Sequence, residues 1–211
     1  MKTIIHRACR HLAIFAVALV GVANVAQAKN IGKHNLLDIM THTDSIVIGT
    51  VSSRTDGFHR GLPYTEITLD VARSLKGEHG ETFSFRQFGL LAPKADGNGR
   101  VNLMVTPAGW PTYENGEQVM LFLHKPASET GFQTTAALTQ GKFSIAGSRI
   151  ANGINNEDLF KGLEISRRLP PNMQDLVNQA GGSYQLDAFL ELVQTAIDEQ
   201  WIEEGVMRHE D

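Results

Sequence analysis

The chain has 211 residues, of which 42% are hydrophobic, and its formal net charge is −4. An acidic chain without a basic stripe argues against nucleic acid or anionic lipid as a partner. Cys9 is the single cysteine and lies in the N-terminal segment. The rest of the chain therefore has no disulfide, no thiol nucleophile and no thiolate metal site.

Residues 1–28 have the three parts of a secretory signal peptide. Lys2, Arg7 and Arg10 precede an apolar stretch over 12–25, and Ala26-Gln27-Ala28 provides the small-x-small pattern that signal peptidase reads. The apolar stretch is shorter than the ~20 residues that a spanning helix needs, which favours a cleaved signal over a retained anchor.

We therefore expect a mature chain of residues 29–211 that is periplasmic or secreted, without membrane insertion. Its formal net charge is −7, because three of the 19 Lys and Arg residues lie in the signal while all 23 Asp and Glu residues remain. Its partner is expected to be another exported protein, and no nucleic acid is expected to bind.

The mature chain reads as a series of short strands that ends in a helix. In chain order, the predicted elements are a short helix over 34–42, strands over 46–51, 64–75, 82–88, 101–105, 118–124, 132–138, 142–145 and 149–152, a turn or two of helix over 173–178, and a helix over 183–202. Residues 118–124 are almost all apolar, which predicts a strand covered on both faces. Residues 54–63 contain Asp56-Gly57 and Gly61 and are predicted to be a turn-rich connection.

Short strands at this spacing are typical of sandwiches and small barrels. We predict a mainly β fold with flanking helices: a β-barrel-like domain over 29–156 with a short N-terminal helix, and a helical extension over 157–211 that packs on it. The predicted inner face of the barrel comprises Ile46, Ile48, Ile67, Leu69, Val71, Phe83, Phe85, Leu121 and Leu123. The predicted docking face of the last helix comprises Leu186, Phe189, Leu190 and Val193, with Ser183 as its N-cap.

His34, Asp38 and His42 follow one another at intervals of four residues. On a continuous helix these three side chains would share a face, and imidazole and carboxylate groups are zinc ligands. The alternative is a solvated face at the edge of a short helix, because metal sites usually add a ligand from a distant segment.

The segment Gly109-Trp110-Pro111-Thr112-Tyr113 carries two large aromatic residues beside a proline. Aromatic residues on a constrained loop are common binding anchors, so Trp110 and Tyr113 are candidate binding residues. Alternatively, either ring folds back to close one end of the barrel. The sequence contains no nucleophile elbow and no glycine-rich phosphate loop, so no catalytic residue and no cofactor is predicted.

Several motifs together resemble those of a known group of proteins. The stretch 44–51 resembles a D-x-V-V-x-G-x-V strand, 64–77 resembles a Y-T … V … L-K-G strand and turn, and 109–123 resembles G-x-P-x-aromatic followed by G-E and L-F-L, with Gly141-Lys142-Phe143 after it. This order is similar to that of exported, mostly uncharacterised bacterial proteins. It is also similar to the netrin-like modules, which include the tissue inhibitors of metalloproteases.

The resemblance covers residues 44–145 and implies a small OB-like (netrin-like) β-barrel with flanking helices. The metalloprotease inhibitors act through an N-terminal cysteine, which the mature chain lacks, so no functional residue is carried over. Three hypotheses follow: a non-enzymatic binding or assembly module, a hydrolase or metal-dependent enzyme with dispersed site residues, and a peptidase inhibitor-like protein that acts through its loops.

Overall fold

The computed structural model describes residues 32–95 and 97–210, so the predicted signal peptide lies outside the described residues. The fold is mainly β, as predicted. The elements are α1 (Leu36–Thr41), β1 (Ser45–His59), β2 (Leu62–Lys76), β3 (Thr82–Phe88), β4 (Lys94–Ala95), β5 (Val101–Asn102), β6 (Gln118–Leu123), a 3-10 turn (Leu138–Gly141), β7 (Lys142–Ala146), β8 (Arg149–Asn152), β9 (Leu163–Ile165), α2 (Pro171–Val177), β10 (Tyr184–Gln185), α3 (Leu186–Asp198) and β11 (Met207–His209).

Seven strands form one antiparallel sheet in the order β10-β8-β7-β6-β1-β2-β3. Strands β10 and β3 are its two edges, and no pairing among the described residues joins them. The sheet is therefore open, and the predicted closure into a barrel is not observed. The predicted strand over 132–138 is present only as isolated bridges, because its residues run into the 3-10 turn.

The longest hairpin, β1–β2, corrects the prediction of a turn-rich connection over 54–63. Pairing continues to His59 and Leu62, and the turn itself is Arg60-Gly61, whose φ angles are 51° and 80°. Positive φ at both central residues is what a two-residue hairpin turn requires. Gly57 is instead a strand residue, and a Cβ there would lie 2.4 Å from the ring of Tyr64.

The two faces of the sheet carry different hydrophobic clusters. The inner cluster consists of Val47, Val51, Ile67, Leu69, Phe85, Tyr113, Val119, Leu121 and Leu123, with Val71 and Phe83 packed against it. The helix-side cluster includes Ile46, Met120, Phe122, Phe143, Ile150 and the buried residues of the helices. Because successive residues of β6 alternate between the two clusters, this central strand is covered on both faces, as predicted.

Ile46 and Ile48 were predicted on the inner face, and that prediction is wrong. Ile46 belongs to the helix-side cluster and Ile48 packs against it, while Val47 and Val51 take the inner positions. Since both faces of β1 are covered, apolar residues occur at consecutive positions, and the sequence pattern does not indicate which of them faces inward.

Helix α3 packs on the helix-side cluster, where the ring centroid of Phe189 lies 5.1 Å from that of Phe143. The helix begins at Leu186, not near 183, and Ser183 is not its N-cap, because Tyr184-Gln185 pairs with β8 first. Its buried face is centred on Phe189, Leu192 and Val193, whereas Leu190 is only partly buried. None of the helices in the described part of the chain has the length and hydropathy of a membrane-spanning segment.

Candidate binding site

The loop between β5 and β6 is held in place on both sides of Trp110. The Trp110 amide donates a hydrogen bond to the carbonyl oxygen of Pro107 at 3.1 Å. Pro111 is buried, and its carbonyl oxygen accepts a hydrogen bond from Nε2 of Gln87 at 2.9 Å. The next carbonyl, that of Thr112, accepts a hydrogen bond from Nζ of Lys142. The backbone around Trp110 is thus fixed by residues from β3 and β7.

Tyr113 points into the inner cluster. Its side chain is 3% exposed, and its ring meets that of Phe85 edge-on with centroids 5.7 Å apart. Nζ of Lys142 lies 5.0 Å from the centre of the Tyr113 ring. Burial, with a smaller contribution from the charge of Glu117, raises the pKa of the Tyr113 hydroxyl far above its usual range. The ring therefore packs within the inner cluster on one face of the open sheet.

Trp110 is half-buried and lies at the rim of a groove. Its ring meets that of Phe88 edge-on, with centroids 6.4 Å apart. The groove has a volume of about 570 Å³, and its lining includes Thr112, Lys142, Ser144, Arg149 and Asn152. A volume of this size is within the range of ligand sites. Of the two aromatic residues singled out in the sequence, Trp110 is the one placed where a partner can reach it.

Strands β7 and β8 form the floor of the groove. Phe143 and Ile150 face the helix-side cluster, so their neighbours face the other way by strand alternation. Those neighbours are polar or small, namely Lys142, Ser144, Ala146, Arg149 and Ala151. The face that carries the inner cluster on β1, β2 and β6 is therefore uncovered and polar on β7 and β8.

A carboxylate from the residue before β6 organises one side of the floor. The side chain of Glu117 accepts hydrogen bonds from Nζ of Lys142 at 2.8 Å and from Oγ of Ser144 at 2.7 Å. Burial alone would raise the pKa of Glu117, but these hydrogen bonds and the Lys142 charge outweigh it, and the pKa is lowered.

Arg149 lies on the other side of the floor and is held by neutral groups. Its Nε donates to Oγ of Ser183 at 3.1 Å, and its Nη2 donates to the Ser183 carbonyl oxygen. In the orientation that satisfies the Gln185 amide, the Gln185 oxygen accepts from Nη1 at 3.3 Å. These bonds tie the guanidinium to β10 and the residue before it. The sequence contained no signal for this contact, because it joins residues 34 positions apart.

The structure brings together only two of the three predicted metal ligands. Nδ1 of His34 lies 3.8 Å from Oδ2 of Asp38, and the other oxygen of that carboxylate lies 3.3 Å from Nε2 of His209. His42 is at the opposite end of α1, as its C-cap, because the helix has six residues and stops before His42.

Asp38 already serves the helix that carries it. Its carboxylate accepts a hydrogen bond from the Asn35 amide at 3.1 Å, while the Asn35 side chain accepts one from the Asp38 amide at 3.0 Å, and together they form a capping box. Within residues 32–95 and 97–210, no group of three or more His, Cys, Asp or Glu residues is arranged to hold a metal ion.

Comparison with known proteins identifies no relative: no family model, no curated protein and no solved structure matches this chain.

Proposed function

We propose that this chain is an exported, non-enzymatic binding or assembly module that contacts a protein partner through the groove beside Trp110. The observation that carries the proposal is a half-buried tryptophan on a braced loop at the rim of a groove of about 570 Å³. Tryptophan is among the residues that most often dominate binding energy at interfaces. Because hydrogen bonds from Gln87 and Lys142 already fix the loop, little conformational entropy is lost when a partner docks.

Export is part of the proposal, and it is supported by the n-region, the apolar stretch and Ala26-Gln27-Ala28. The compartment is then the periplasm or the cell exterior, and the partner is itself exported. The intact mass of the protein recovered outside the cytoplasm tests this part, since a chain that begins at Lys29 is expected. A recovered chain that retains residues 1–28 would contradict it.

A relationship to the netrin-like modules is proposed on the order of the sequence motifs over 44–145. The antiparallel run of strands β6-β1-β2-β3, with the inner cluster packed on one face, supports a relationship at the level of the fold. The proposal extends to the fold alone. The inhibitory chemistry of the metalloprotease inhibitors needs an N-terminal cysteine that the mature chain lacks.

A peptidase inhibitor-like function is the second candidate, and one observation favours it. The segment 101–105 carries several exposed apolar residues, among which Leu103 is 71% exposed. Its backbone is braced, since the Leu90 amide donates to the Met104 carbonyl oxygen at 3.0 Å. A braced loop with exposed apolar side chains is suited to a peptidase cleft. Inhibition of a panel of serine and metallopeptidases that is lost in Leu103→Asp would support this candidate over the first.

Site-specific photocrosslinking tests the proposed groove. A photoreactive amino acid placed at Thr112 or Ser144 lies in the groove, and the same amino acid at Phe58, which is 42% exposed at the tip of the β1–β2 hairpin, provides a matched control. In living cells of the native host, we expect a discrete adduct from the groove positions and none from position 58. Trp110→Ala should remove that adduct.

Two results would contradict the groove as the contact surface. One is an adduct of the same mass and yield from position 58. The other is a groove adduct that persists at full yield in Trp110→Ala.

A further inference from the structure

Arg149 differs from the other partly buried cations of the described chain in having no carboxylate partner. Four Lys or Arg residues are partly buried: Arg54, Arg86, Lys142 and Arg149. Three of them make ion pairs, Arg54 with Glu114 at 2.7 Å, Arg86 with Glu66 at 2.8 Å and Lys142 with Glu117 at 2.7 Å. Among the described residues, the polar partners of Arg149 are Ser183 and Gln185.

An unpaired cation in a partly buried position is unfavourable, because it loses hydration without gaining an opposite charge. The guanidinium of Arg149 is nevertheless held in one orientation by Ser183, with N–H groups left over beyond those that the described residues accept. A planar guanidinium whose N–H donors are already oriented loses little conformational entropy when it binds an anion.

The charges around the groove define what it can accept. Lys142 and Arg149 are the charged residues of the described lining, and Glu117 already neutralises Lys142. Arg149 is therefore the one charged residue of the described groove lining that has no ion-pair partner among the described residues, and it also lines a neighbouring pocket that contains Asp175. A guanidinium pairs with an anionic oxygen group through two parallel N–H···O bonds, and the anion that a protein partner supplies is a carboxylate.

The remaining lining suits a polypeptide. The hydroxyl groups of Thr112 and Thr139 make no hydrogen bond within the described residues, so both can pair with a peptide main chain. Trp110 offers an apolar surface at the rim for a neighbouring side chain of the same peptide. The threonine hydroxyls can thus pair with a peptide main chain, and the Trp110 indole can contact an apolar side chain. The Arg149 guanidinium can bind an acidic group of the same peptide.

We propose that the groove binds an extended segment of its protein partner that carries a carboxylate, and that Arg149 binds that carboxylate while Trp110 contacts an apolar residue beside it. This inference rests on the proposed function and names the chemistry of the partner. The carboxylate is an Asp or Glu side chain or a free chain terminus, and these two sources can be separated by experiment.

A displayed library of random dodecapeptides, selected on the purified exported protein, tests the inference. We expect selected peptides to carry Asp, Glu or a free C-terminus at one fixed position beside an apolar residue. Replacing that acid by its amide should weaken binding about tenfold in the native protein and leave it unchanged in Arg149→Gln. Two modified peptides identify which carboxylate is bound. Amidation of the C-terminus should weaken binding if the terminus is bound, and replacement of the Asp or Glu side chain should weaken binding if the side chain is bound.

Two control variants keep the test decisive. Arg149→Lys keeps the positive charge but lacks the paired N–H donors of the guanidinium. It should therefore lose part of the preference for the acidic peptide over its amide. If Arg149→Gln fails to fold, the amide-for-acid exchange measured on the native protein and on Arg149→Lys decides the outcome.

The outcomes separate this inference from the function on which it rests. Selected peptides that need Trp110 but show no acid preference would overturn the carboxylate inference and leave the groove as the binding surface. Selected peptides that bind Trp110→Ala undiminished would overturn both. Equal competition by inorganic phosphate and by the acidic peptide would show a general anion site and would also overturn the inference.

Discussion

One face of the seven-stranded sheet has two parts with opposite characters. Over β1, β2, β3 and β6 it is covered by the inner cluster and by the buried ring of Tyr113. Over β7 and β8 the same face is uncovered and lined by Lys142, Ser144 and Arg149. Loop 107–113 spans the two parts, with Tyr113 in the first and Trp110 at the rim of the second. The first part thus contributes stability, and the second is available for binding.

The largest expected effect is a difference in the free energy of unfolding between substitutions of Tyr113 and Trp110. Tyr113→Ala should lower the free energy of unfolding by about 3–5 kcal/mol, because it removes a buried ring and leaves a cavity in the inner cluster. Trp110→Ala should lower it by clearly less, because the indole is only partly buried at the rim of the groove. Urea denaturation of both variants measures the difference. Equal losses would mean that Trp110 also belongs to the core and is not a binding residue.

The covered face under α3 offers a second contrast. Leu192→Ala should cost about 2–5 kcal/mol, since Leu192 is 0% exposed in the helix-side cluster. Leu190→Ala, a substitution of the same size two residues earlier, should cost clearly less because Leu190 is only partly buried. Thermal and chemical unfolding of the pair tests this. A larger loss for Leu190 would place the docking face where the sequence alone predicted it.

Glu117 lies where the covered and uncovered parts of this face of the sheet meet. Its ion pair with Lys142 should contribute measurably to the free energy of unfolding. Glu117→Gln should cost about 1–3 kcal/mol at neutral pH, because Lys142 is left with a 12% exposed side chain and no carboxylate. Glu114→Gln is the matched control, and it should change stability by less than about 0.5 kcal/mol because Glu114 is 76% exposed.

The cost of Glu117→Gln should also depend on pH in a known direction. The pKa of Glu117 is lowered in the folded protein, so ionisation favours folding. That contribution is complete above the ordinary carboxyl pKa of 4.5 and is lost as the pH falls through the lower folded value. The native and variant unfolding curves should therefore converge in acid. A difference that stays constant between pH 7 and pH 3 would exclude the ion pair as its source.

The smallest expected effect concerns two tyrosine hydroxyls. The Tyr113 hydroxyl is buried without a hydrogen-bond partner among the described residues, so Tyr113→Phe should leave stability unchanged or raise it by up to about 1 kcal/mol. The Tyr184 hydroxyl donates to carbonyl oxygens at 3.3 and 3.4 Å, so Tyr184→Phe should cost about 0.5–1.5 kcal/mol. If Tyr113→Phe is the more costly of the two, its hydroxyl has a partner in solution.

The sequence pattern was a good guide to which residues face inward wherever only one face of a strand is buried. Strands β2 and β3 alternate between apolar and polar residues, and their predicted inner residues Ile67, Leu69 and Phe85 are in the inner cluster. The uninterrupted apolar run of β6 correctly indicated cover on both faces. In β1 the same two-sided cover made the pattern ambiguous, and Ile46 was assigned to the wrong face.

The candidate site, too, was predictable from the sequence only in part. Loop composition alone singled out Trp110 and Tyr113, since a proline between two large aromatic residues is visible in the sequence. It could not tell which ring would be buried, because that depends on where Phe85 and Lys142 lie when the strands pair. His34 and Asp38 were correctly expected to be close, but the end of α1 leaves His42 outside the pair and the pairing of β11 with β9 brings in His209.

Local physics therefore determined from the sequence that the chain is mainly β, that its last long helix has an apolar face, and that one loop carries two large aromatic residues. Periodicity, turn residues and side-chain type act within a few residues, and the sequence displays them directly. Only the tertiary structure decided that the sheet is open, that Tyr113 is core while Trp110 borders a groove, and that Arg149 has no acidic partner. These features depend on contacts between residues far apart in the chain, such as Arg149 with Ser183 and Glu117 with Lys142, and strand pairing sets those contacts.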